Sequence, residues 1–84
     1  MFGDTDQEHT AELMLLRLRQ RALAAGYTAD FRRLAVRTKW NDRALKAQYY
    51  RGLKDLVKDE LARSPKANNL EKLVEKAILV DNRI

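Results

Sequence analysis

The sequence predicts an all-α fold, a compact bundle of about five short helices. Three observations predict it. Apolar residues recur at spacings of three and four along most of the chain, helix-capping side chains precede several of these stripes, and no alternating run of the strand type occurs. A chain of 84 residues suffices for one domain, and a domain of this size buries only about 60% of the surface its unfolded form exposes. With 45% apolar residues and a single proline, the composition is that of a folded chain rather than a disordered one.

The first helix is expected over roughly 5–20. Thr5-Asp6-Gln7-Glu8 has capping-box spacing, a hydroxyl at the cap and a carboxylate three residues on. At 100° per residue Ala11, Met14, Leu15 and Leu18 form one stripe, while Leu13 and Leu16 point elsewhere, so this helix carries more apolar surface than one core contact uses. The second stripe, Leu23, Tyr27, Phe31, Leu34, Ala35 and Thr38, predicts a helix over roughly 23–38. Its start has two readings. Propensity alone makes Gly26 the cap of the first helix and Thr28 the start of the second, whereas Leu23 on the stripe argues for a break near Arg21.

Asn41-Asp42 begins a third helix over 41–51 carrying Leu45, Tyr49 and Leu53, with Gly52 as its stop. Leu56, Val57 and Leu61 continue the stripe into a fourth helix over 53–63, which ends by Ser64-Pro65 because proline disfavours helical backbone in the residue before it. Asn68 or Asn69 caps the last helix, 69–83, with Glu71 three residues after Asn68 and an apolar face of Leu70, Leu73, Val74, Ala77, Ile78 and Ile84.

Chemistry is sparse. No cysteine is present, which removes disulfides and thiolate metal sites, and the one histidine, His9, stands alone in an acidic turn. Ser64 has no histidine near it, Asp55, Asp59 and Glu60 interleave with Lys54, Lys58 and Arg63 as a solvated face does, and Gly3, Gly26 and Gly52 form no phosphate loop. The expectation is a protein that is not an enzyme, with no cofactor and no metal. The longest apolar run, Leu13 to Leu16, is too short to span a bilayer or form a signal-peptide core, so an intracellular, cytoplasmic protein without membrane contact is expected.

Charge is segregated. Residues 1–16 hold Asp4, Asp6, Glu8 and Glu12 with no Lys or Arg, while 32–54 hold Arg32, Arg33, Arg37, Lys39, Arg43, Lys46, Arg51 and Lys54 against Asp42 alone. Such a basic segment binds phosphates by counterion release, with Arg32, Arg33, Arg37, Lys39, Arg43 and Lys46 as the contacts, or attracts the acidic end of another copy. Tyr27 and Phe31 lie on a core stripe, as does Tyr49, but Tyr50 shares a second face with Arg43 and Ala47 at spacings of four and three. An exposed aromatic beside arginine and a small residue is the composition of a protein interface.

Taken together, AELMLLRLRQ, YTADFRRLAVRTKWND, ALKAQYYRGLKDLVKDELARSP and LEKLVEKAILVDNRI, with FGD near the start, resemble the C-terminal part of the capsid region in Gag proteins of gypsy-type LTR retrotransposons, including host genes domesticated from them. RGLKDLVKDELA and AILVDNRI are the most specific pieces. Gln20, Tyr27 and Phe31 are similar to the major homology region of retroviral capsids, whose role is mainly structural. The chain departs from the family after Gln20, where Arg21-Ala22-Leu23 replaces a glycine and Ser/Thr and is one residue shorter, so a continuous first helix exchanged between copies is an alternative there.

The resemblance implies a capsid C-terminal-like domain that self-associates, as a homodimer or higher oligomer, in building a shell around RNA within virus-like particles. The implied pairing surface is the third helix with Trp40, Arg43, Ala47 and Tyr50. Leu13 and Leu16 are a second candidate surface, facing the N-terminal capsid domain of a parent protein. RNA is then an indirect partner, since direct binding in such polyproteins belongs to a cysteine-rich knuckle. A basic nucleic-acid-binding domain and an adaptor that holds a partner helix in a groove are the alternatives.

Overall fold

In a computed structural model the backbone is described over residues 3–84 and side chains from residue 7 onward; Phe2 of the FGD motif lies outside this range. Five helices follow in order: α1 Gly3–Arg17, α2 Ala24–Ala35, α3 Asp42–Gly52, α4 Asp55–Ala62 and α5 Leu70–Arg83. The described residues contain no strand.

Helix ends differ from the sequence expectation for local reasons. α1 already runs through Thr5 from Gly3, so Thr5 is not its cap, and it stops at Arg17, three residues before Gln20. Leu18 to Leu23 form the break, which separates α1 from α2 and sets Gly26 inside α2 rather than at a helix end. Val36 to Thr38 tighten into i+3 bonds, Arg37 N–H to Leu34 O at 3.0 Å and Thr38 N–H to Ala35 O at 3.0 Å, which closes α2 at Ala35. Asn41 caps α3, its Oδ1 accepting from Ala44 N–H at 2.9 Å, and Asn69 rather than Asn68 caps α5, accepting from Lys72 N–H at 2.9 Å. Glu71 therefore takes no part in a capping box and pairs with Arg32 Nη2 at 2.9 Å.

The core is one cluster drawn from all five helices: Leu15 of α1, Tyr27, Phe31 and Leu34 of α2, Tyr49 of α3, Leu53, Val57 and Leu61 around α4, and Leu70, Leu73, Val74 and Ala77 of α5. Four residues that periodicity puts in the core are out of it. Met14, Leu23, Leu56 and Ile84 are 47%, 64%, 63% and 62% exposed. Each lies at the edge of its stripe or at a helix end, where a neighbouring residue of the same stripe fills the contact instead: Leu15 for Met14, Ala24 for Leu23, Val57 for Leu56. No helix among the described residues is long and apolar enough to cross a membrane.

Candidate functional site

α3 crosses α5 and leaves its opposite side to solvent. The capping Asn41 fixes where α3 begins, and Asp42 in its first turn accepts from Leu70 N–H through both carboxylate oxygens at 3.2 Å, pinning the start of α3 to the start of α5. From this anchored start Arg43 and Ala47 are carried outward and are exposed, while Leu45 and Tyr49 turn in. Trp40 and Tyr50 flank the pair. Both are half-buried against the core, and the Tyr50 hydroxyl donates to Lys58 O at 3.2 Å. Tyr50 is thus not the freely exposed ring that its place off the core stripe indicates, because α4 follows α3 so closely that its backbone reaches the phenol.

The homology-region residues come together inside. Gln20 is 6% exposed, and its N–H donates to Gly52 O at 2.7 Å, its Oε1 accepts from Lys54 N–H at 3.0 Å, and its Nε2 donates to Ala22 O and Asp81 Oδ1 at 2.9 and 3.0 Å. Tyr27 and Phe31 meet Tyr49, with ring centroids 5.0 and 5.2 Å away. The Tyr27 hydroxyl donates to Tyr49 O at 2.9 Å, in the last turn of α3 where carbonyls run out of amide partners. Thr28 Oγ1 lies 2.7 Å from both Ala24 O and the Tyr49 hydroxyl. Burial pushes both phenols up from the ordinary tyrosine value; for Tyr27 the neighbouring Tyr49 adds to this, and for Tyr49 the Thr28 contact opposes it.

A profile of the PEG10/RTL1 C-terminal capsid-like domain matches residues 11–84. The chain belongs to that family. The resemblance to C-terminal capsid domains of gypsy-type Gag proteins therefore holds over most of the chain, and the five-helix, strand-free architecture agrees with it. In this capsid-like domain the Gln20–Tyr27–Phe31 set is a structural centre, tying the α1–α2 break to the α3–α4 turn and the end of α5.

The basic residues of the capsid-like domain do not converge on one surface. Arg32 pairs with Glu71, Arg33 with Asp30 at 3.4 Å, Lys39 with Glu8 at 4.0 Å, and Lys46 Nζ donates to Ala67 O at 2.9 Å. Arg37 and Arg43 are exposed and make no ion pair among the described residues. His9 is exposed, and no group of His, Asp and Glu among the described residues is arranged to hold a metal. Leu13 and Leu16 are 41% and 45% exposed on the outer side of α1.

Two positions of structural weight escape a reading of the sequence. Asp81 looks like a solvated acid near the chain's end, yet its second oxygen accepts from Ala24 N–H at 2.9 Å and caps α2 from a distance. Gln48, between core positions on α3, is buried with its Nε2 donating to Leu15 O at 3.3 Å near the end of α1. Spacing carries no signal for either, because their partners are remote in sequence.

Proposed function

We propose that this capsid-like domain is a self-association module that dimerises through the outer face of α3, as one step in building a shell around RNA. Membership of a capsid-like structural family supports a Gag-like architectural role rather than catalysis. The observation that carries the pairing surface is the arrangement on α3. Exposed Arg43 and Ala47 lie between Trp40 and Tyr50, two aromatic side chains held by the core and, for Tyr50, by the hydrogen bond to Lys58 O. A small residue lets a second helix approach closely, and rings already fixed lose little freedom when they are covered. In the parent protein the N-terminal capsid domain is the natural neighbour, and the cytoplasm and virus-like particles are where the shell forms. RNA contact through Arg32, Arg33, Arg37, Lys39 and Lys46 is weaker in support than pairing, because four of these five are engaged within the chain.

Sedimentation equilibrium of the wild-type chain and of Ala47→Glu, from micromolar to near-millimolar concentration at low and high salt, tests the proposal. The wild type is expected to gain mass with concentration at both salts. Ala47→Glu is expected to weaken that association at least tenfold with helical content unchanged. Equal association of the two proteins overturns the α3 assignment.

A further inference from the structure

The apolar surface that the core leaves uncovered gathers in two places. Leu13, Met14 and Leu16 form a convex ridge along α1, which packs on α2 and α3. Leu23, Leu56 and Ile84 line two adjoining depressions of about 330 and 320 Å³, built from α4, the end of α5 and the segment leading into α2. Three of the four residues that helical periodicity sends to the core and the structure leaves exposed are in the depressions, and the fourth is on the ridge.

We propose that the α1 ridge of one copy seats in the α4–α5 groove of a second copy, a head-to-tail contact separate from the α3 face. Shape selects the pair, since two ridges or two grooves cannot fill one another, whereas a helix presenting side chains three apart is the form that an apolar groove accepts. Charge agrees. α1 over residues 7–16 carries Glu8 and Glu12 with no Lys or Arg. On the groove rim Glu60 is neutralised by Arg63 at 3.1 Å and Asp81 is occupied by Gln20 and Ala24, which leaves Lys54 and Arg83 against Asp59 alone. The acidic ridge thus meets a rim with cations in excess. Because ridge and groove are different surfaces, each bound copy still offers one of each, and the contact propagates instead of closing on a pair. Apolar area on the order of a few hundred Å² a side falls below what stable pairs bury, so the contact is weak alone and cumulative in a lattice.

The test uses complementation in a chain that also carries Ala47→Glu, so that any α3 dimer is removed and failure of that reading is seen separately. On this background Leu13→Glu with Leu16→Glu destroys the ridge, and Leu23→Glu with Leu56→Glu destroys the groove; all four positions are exposed, and far-ultraviolet circular dichroism checks that the helices persist. Each protein alone is expected to sediment as a monomer at near-millimolar concentration. Their equimolar mixture, with one intact ridge and one intact groove, is expected to rise toward twice the monomer mass and no further. A mixture that sediments as its separate components overturns the proposal, leaving the ridge to another domain of the parent protein and the groove to a foreign peptide. Undiminished association of either protein alone overturns it as well.

Discussion

The carboxylate of Asp81 accepts from Gln20 Nε2 at 3.0 Å, closing a link across 61 positions of sequence. The same carboxylate caps α2 through Ala24 N–H at 2.9 Å, so one side chain of α5 fixes both the break after α1 and the helix that follows. Asp81→Ala removes a cap and leaves the amide of buried Gln20 short of a partner. A loss of about 2 kcal/mol is expected in urea unfolding, from about 1 kcal/mol for the cap and a similar amount for the unmet donor. Gln20→Ala in a double-mutant cycle with Asp81→Ala is expected to show coupling above about 0.5 kcal/mol; additive losses would mean that the two side chains act independently.

Gly52 ends α3 in a space that admits no side chain. A Cβ there would meet the Tyr27 hydroxyl and come within 2.8 Å of Leu18 O. Its backbone φ is not positive, so the need for glycine is one of room rather than of conformation. Gly52→Ala is expected to destabilise by about 1–3 kcal/mol, because the Tyr27 phenol must leave the carbonyl of Tyr49 to make way. Gly52→Ala with Tyr27→Phe is expected to recover part of this loss, since the hydroxyl that blocks the methyl is gone; a combined loss equal to the sum of the two separate losses contradicts the account.

What helical spacing conveys is which face of a helix is apolar, and on that ground Leu15, Phe31, Tyr49, Val57 and Leu73 are all legible as core. It does not convey how wide a stripe the neighbours can cover. Leu23 and Leu56 keep the right phase yet lie exposed, because Ala24 and Val57 beside them already fill the contact. The α3 positions Arg43, Ala47 and Tyr50 share a face by spacing alone, but the hold of Lys58 O on the Tyr50 hydroxyl depends on how tightly α4 turns back, which no local pattern states. Long-range caps such as Asp81 on Ala24 N–H and Asp42 on Leu70 N–H are illegible for the same reason.

Gly26 is the opposite of Gly52. It lies in the first turn of α2, exposed, with nothing within 4 Å of an added Cβ. Nothing in the fold uses its freedom, and glycine in a helix costs about 0.5–1 kcal/mol relative to alanine. Gly26→Ala is expected to raise stability by about 0.5 kcal/mol and Tm by a few degrees in a thermal scan. A decrease would show that the α1–α2 break draws on flexibility at this position.

The buried phenols make stability fall in alkali. Tyr27 and Tyr49 are 5% and 0% exposed, and both are held above the model value of 10.0, Tyr27 by burial and then by Tyr49, Tyr49 by burial against the opposing Thr28 contact. An acid whose folded value is raised keeps its proton in the native state while the unfolded chain loses it. The unfolded state then binds fewer protons, so the unfolding free energy decreases with pH. The contribution is whole below pH ~10 and is lost as pH climbs from there toward the folded values, with a slope of up to about 1.4 kcal/mol per pH unit for each phenol. Tyr49→Phe is expected to lower stability by about 1 kcal/mol at neutral pH, through loss of the Thr28 contact, and to flatten the fall above pH 10, which urea unfolding at pH 7, 9, 10 and 11 measures. An unchanged alkaline slope in Tyr49→Phe would assign the fall to Tyr27 alone, whose hydroxyl gives its proton to the carbonyl at the end of α3 and has no other acceptor to turn to.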